Sequence, residues 1–113
     1  MNGASAPSPQ TTVLLVFLPV KPEAREHFRK MLFAVGERIA KEPDFVSASV
    51  HEDMDDPDMI VLYETWIGSR EHLLMTHLSK PYRKEYEAAL PQMLKSERRI
   101  VFLQPPMASY SKA

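Results

Sequence analysis

The chain has 113 residues, 44% hydrophobic and 26% charged, with a formal net charge of -1 and no cysteine. That length suits one domain with a real core, and a charge near zero without any lysine or arginine block gives nucleic acid no footing. The missing thiol excludes disulfides, cysteine catalysis, cysteine-ligated zinc and iron–sulfur clusters, and it fits a reducing compartment; cytoplasm is the default reading.

Residues 1–10 (MNGASAPSPQ) have neither a basic start nor an apolar stretch. They read as a disordered arm and not as a secretory signal. No apolar run nears the roughly 20 residues that crossing a bilayer takes, so no membrane partner is expected. Thr12–Val20 (TVLLVFLPV) is a short run of β-formers and reads as a strand. From Pro22 onward Ala24, Phe28, Met31, Leu32, Val35 and Ile39 form one helical stripe, which Pro43 closes. Phe45–Glu52 alternates, DMDDPD makes a turn, and Met59–Trp66 returns as the second half of a hairpin.

Ser69 is an expected N-cap for a helix carrying Leu73, Leu74, His77 and Leu78 on one side. Pro81 opens a further helical segment through Tyr82, Tyr86 and Leu90, with Pro91 expected to interrupt it. Ile100–Leu103 is the last strand, and the tail 105–113 begins with two prolines that stop any regular element. The domain therefore spans 11–104. Its order is β-α-β-β-α-β, an α+β fold of the ferredoxin-like kind, with an antiparallel sheet and helices on one face. Because VLLVFL is apolar on both faces, the open face is expected to be covered by a second copy, giving a homodimer through the sheets.

Several side chains invite a chemical reading. Trp66 ends the third strand on the face of Glu64, and is either core or pocket wall. His77 faces inward with the leucines of its helix; it is either a satisfied core imidazole or a base for a phenolic proton. His51, projecting beside Ser47 and Ser49, is the second choice of base. Glu64 is expected to pair with an Arg or Lys. Tyr63, Tyr82 and Tyr86 are candidate donors to a substrate oxygen. His72 lies off the inward stripe and reads as solvated.

No metal site is expected. Asp53, Asp55 and Glu64 count as positions 1, 3 and 12 of a calcium loop, but Pro57 and Asp58 break that pattern. His72 and His77 are five residues apart and diverge on a regular helix. Three scattered glycines make no phosphate-binding loop, so no nucleotide or flavin cofactor is expected either.

The VKPE start of the first helix, EPDFVSASVHEDMDDPD, the LYETW strand, the H-x-x-x-P-Y run from His77 to Tyr82 and Leu90–Pro91 occur together, in order, over residues 12–103. In this the chain resembles the antibiotic biosynthesis monooxygenase family of dimeric α+β barrels. That resemblance implies a pocket between sheet and helices in each subunit, lined at Trp66 and His77. It also implies a cofactor-free oxygenase that takes a small aromatic quinol or anthrone-like substrate and dioxygen. Because a fold does not fix a function, a non-catalytic small-molecule binding or regulatory protein is the alternative, with haem binding or degradation ranked below both. The haem-degrading branch of the family carries an Asn on its first strand, which VLLVFL lacks. Where many members have Gly in an EPG turn this chain has Asp44, a change expected to bear on turn geometry and not on chemistry.

Overall fold

The computed structural model describes residues 10–112, and all but the last residue of the expected N-terminal arm lies outside them. The strands are β1 (Thr11–Pro19), β2 (Phe45–Glu52), β3 (Met59–Ile67) and β4 (Arg99–Leu103); the α-helices are α1 (Arg25–Ile39), α2 (Arg70–Thr76) and α3 (Lys84–Met93). Single 3₁₀ turns beginning at Pro22 and Pro81 lead into α1 and α3, because a proline's fixed φ and missing N–H cost nothing in a first turn. Residues 104–112 form no helix or strand and are exposed.

The four strands make one antiparallel sheet in the order β2-β3-β1-β4. Together with helices on one face this is the ferredoxin-like arrangement that the pattern predicts. Alternation decides which side chains go inside. Leu14, Val16 and Leu18 of β1 and Ile60, Leu62 and Trp66 of β3 are buried, with Phe28, Leu32 and Val35 of α1 and Tyr86, Leu90 and Met93 of α3 against them. The odd-numbered Val13, Leu15, Phe17 and Val61 are only half-buried and Tyr63 is exposed. Among the described residues no helix is long and apolar enough to cross a membrane.

Two local expectations are corrected. Pro91 does not interrupt α3, which runs through it to Met93; buried Leu90, Met93 and Leu94 hold that last turn in place. α2 stops at Thr76, leaving His77 as its C-cap, with the His77 amide on the Leu73 carbonyl at 3.0 Å. Val46 and Val50 of β2 are about half exposed, because β2 is an edge strand.

Candidate functional site

A cavity of about 60 Å³ lies between the sheet and the α2–α3 side of the molecule. β1 contributes Leu14 and Val16, β3 contributes Leu62, Glu64 and Trp66, and β4 contributes Ile100 and Phe102. Opposite them stand Leu73, Leu74, His77 and Leu78, then Arg83, Tyr86 and Arg98. The wall is mainly apolar with a few polar groups, the usual make-up of a small-molecule site. Its β1 side, Leu14 and Val16, offers no polar side chain.

Trp66 and His77 do meet. Trp66 is 3% exposed and His77 5%, and their rings lie 4.5 Å apart at 43°. Phe45, opposite Trp66 across the hairpin, meets the indole edge-on at 5.4 Å. The indole N–H is already engaged, donating to Glu64 Oε1 at 2.8 Å. Glu64 thus takes its hydrogen bond from the indole two residues on; among the described residues no arginine or lysine forms a direct ion pair with it, although Arg98 shares the cavity and feels its charge. The spacing explains the indole bond, since residues two apart on a strand share a face.

His77 Nε2 lies 3.1 Å from Asp44 Oδ2. Two histidines act on that same oxygen, because His72 Nε2 is 2.8 Å from it. An ionised carboxylate only accepts, so each Nε2 carries the proton and donates. The two hydrogen bonds, His72's first, hold the Asp44 carboxyl below the usual range. The His72 and His77 rings do not diverge: their centroids are 5.8 Å apart, because the helix ends between them and both rings turn onto one acceptor. Asp44, expected to matter only for turn geometry, supplies that acceptor. Gly68 makes room for the arrangement. Its φ is +119°, and a Cβ there would stand 2.7 Å from His72 Cδ2.

With Nε2 donating, His77 Nδ1 is left as a lone-pair acceptor. It is buried, has no hydrogen-bond partner among the described residues, and stands 3.9 Å from Glu42 Oε2. That Glu42 oxygen accepts from the Tyr82 hydroxyl at 2.7 Å and faces Lys80 Nζ at 3.5 Å. Tyr82's hydrogen bond and the Lys80 charge hold Glu42 below its ordinary value. Burial and the Glu42 bond push Tyr82 up to about 12.

The remaining predicted residues sort by position. Tyr86 lines the cavity, and burial pushes it up to about 12, so it stays a neutral phenol. Tyr82 does not line the cavity; its hydroxyl belongs to Glu42. His51 and Tyr63 lie on the other face of the sheet, His51 in register with Val61 and Ser49 with Tyr63. His51 Nε2 lies 2.9 Å from Ser49 Oγ and is exposed. The period of two that put these residues with Ser47 and Ser49 also put them away from the helices. Sequence reasoning missed Asp44, His72, Arg83 and Arg98. Arg98 and Arg83 both donate to Glu87, Arg98 at 2.6 and 2.9 Å and Arg83 at 2.9 Å. Burial would raise Glu87, but the two guanidiniums outweigh it and the carboxyl is held low.

The sequence profile of the family described as antibiotic biosynthesis monooxygenase matches residues 11–89, from β1 into α3. The chain belongs to the antibiotic biosynthesis monooxygenase family. Membership supports a monooxygenase-type function in general terms. Solved structures share the fold at low identity. A conserved protein from Methanosarcina mazei Go1 aligns with TM-score 0.77 and 22% identity, over 85% of this chain and 93% of its own. Rv0793 from Mycobacterium tuberculosis aligns with TM-score 0.76 and 23% identity, over 89% and 100%. A structure described as an antibiotic biosynthesis monooxygenase aligns with TM-score 0.75 and 18% identity, over 84% and 98%. No curated protein sequence matches the chain.

Proposed function

We propose that this family member is a cofactor-independent monooxygenase that oxidises a small aromatic quinol or anthrone-like substrate with dioxygen in the cavity beside Trp66 and His77. One observation carries the reading. In the wall of an apolar cavity, His77 has its tautomer fixed by Asp44 and its other ring nitrogen left without a partner. That is the preparation a general base needs.

Dioxygen is a triplet and reacts slowly with closed-shell molecules, so the substrate itself must supply electrons one at a time. His77 takes the acidic proton of the substrate, and the resulting electron-rich anion passes one electron to dioxygen. The two radicals combine, and the peroxide loses water to leave a carbonyl: an anthrone plus dioxygen gives an anthraquinone plus water. Glu42 stands where it stabilises the imidazolium formed at Nδ1. Tyr86, kept neutral by burial, is the donor offered to the substrate oxygen. The Trp66 indole packs against the substrate while its N–H stays on Glu64. His51, Tyr63 and Tyr82 have no place in this scheme.

Size sets a condition. A cavity of about 60 Å³ holds roughly two waters, whereas even benzene takes roughly 150 Å³. The wall that must give is α2, seven residues long with Leu73 as its one buried residue; so lightly anchored an element opens at low cost. Two copies joined through their open sheet faces complete the proposed enzyme.

The test is oxygen uptake by metal-stripped protein with a panel of naphthohydroquinones and anthrones, alongside folded His77→Ala. Uptake above buffer autoxidation, reduced roughly 10²–10⁴-fold in the variant, is expected. Protein-dependent uptake that the variant retains removes His77 as the base. Absence of protein-dependent uptake across the panel overturns the oxygenase reading in favour of a ligand-binding protein.

A further inference from the structure

His72, His77 and Asp44 converge at the edge of the cavity, although they come from the two ends of α2 and the turn before β2. One ligating atom from each lies within 4.8 Å of those of the other two, and both Nε2 atoms reach Asp44 Oδ2. We propose that these three side chains form a binding site for a divalent first-row transition cation, zinc being the probe of choice, and that its occupancy takes His77 out of service as a base. The second half of that statement rests on the oxygenase reading; the first does not.

Four observations support the site. Donor type comes first: two imidazoles and one carboxylate are a common ligand set for zinc and its neighbours. Spacing comes next. Atoms bound to one metal at about 2.1 Å stand about 3.0–3.4 Å apart, and Asp44 Oδ2 is already 2.8 Å from one nitrogen and 3.1 Å from the other. A cation entering between them displaces two hydrogen bonds, and the remaining edge of the ligand set, within 4.8 Å, closes onto it.

Outer partners are the third. A metal-bound imidazole almost always donates its second N–H to an oxygen, and the protons displaced from Nε2 must move to Nδ1. His72 Nδ1 has Thr76 Oγ1 at 3.4 Å, and His77 Nδ1, buried and unpartnered, has Glu42 Oε2 at 3.9 Å. The cation thus gives the orphaned His77 nitrogen a proton and a carboxylate to point it at. Access is the fourth, since His72 is 43% exposed and Asp44 32% at the side chain. Three protein ligands leave room for water, as in open sites and unlike closed structural ones. Once Nδ1 is protonated and Nε2 bound, His77 has no lone pair left to accept a substrate proton.

The measurement is titration of chelator-treated full-length protein with Co²⁺ and Zn²⁺, read by the visible absorption of bound cobalt and by fluorescence of the chain's single tryptophan. Trp66 lies 4.5 Å from the His77 ring, so it reports the site directly. One cation per chain, with the cobalt bands and a Trp66 change rising together, is expected. His72→Ala and Asp44→Asn should each weaken binding at least tenfold, and neither removes His77. His72→Gln repeats the first on an exposed position where the fold is not at stake. Cobalt bands that persist at wild-type strength in these variants overturn the site, as does failure of either ion to bind at millimolar concentration. Binding with no oxygen uptake under any condition keeps the site and removes the oxygenase reading, so the two failures are separable.

Discussion

At the scale of single residues, Asp44 organises more than any other side chain. It accepts from both His72 and His77, and their hydrogen bonds hold its carboxyl below the ordinary value of about 3.9. A carboxyl depressed on folding contributes stability that is complete above its unfolded value and is lost as pH falls through the lower folded one. Asp44→Asn should therefore flatten the acid side of the stability profile. In urea unfolding at pH 7, 5 and 3, the variant is expected to lose less between pH 5 and pH 3 than the wild type. Parallel losses in the two proteins would show that Asp44 gains nothing from its histidines. A sequence reader sees Asp44 only as the third residue of a turn, because its partners lie 28 and 33 positions away.

At the scale of elements, the helices differ in how firmly they are held. α1 buries Phe28, Leu32 and Val35 along one stripe. α2 buries Leu73 alone and relies on its cap, Ser69 Oγ accepting from the His72 amide at 3.1 Å. α3 carries Pro91 in its interior, where the ring crowds the Glu87 carbonyl and leaves it without its helical donor. The last turn survives because Leu90, Met93 and Leu94 are buried, so burial outweighs propensity there. Pro91 itself is exposed. Pro91→Ala should restore the missing bond and raise stability by about 1–2 kcal/mol after allowing for the looser unfolded chain. A urea midpoint that falls instead would show the proline to be holding the turn.

At the scale of the whole molecule, the sheet has one face under helices and one without them. The uncovered side carries Leu15 and Phe17 on β1 and Val61 and Tyr63 on β3, an apolar strip across central strands. Such a strip supports the proposal that two copies join through this face. Sedimentation equilibrium is expected to give twice the chain mass for the wild type. Leu15→Glu should yield a folded monomer, since a carboxylate on that face is hydrated in one chain and buried without a partner between two. A wild type that sediments as a monomer at 100-fold dilution and at high concentration alike removes the homodimer.

Sequence alone determined the elements and the fold. Periods of two and 3.6 are local properties of the chain, the prolines at 22 and 81 and the Asx-rich turn punctuate them, and β-α-β-β-α-β has few ways to pack. It also put Trp66 and His77 on the inner face, because facing follows from period. What only the tertiary structure decided is which polar atoms meet. His51 and Tyr63 fell on the far side of the sheet, Tyr82 went to Glu42, and Glu64 took the indole of its own strand. Asp44 and His72, legible as a turn residue and a solvated histidine, became the centre of the site. Apolar patterning constrains faces, which a repeat can record; a hydrogen bond needs two atoms within about 3 Å, and that proximity exists only once the chain has closed.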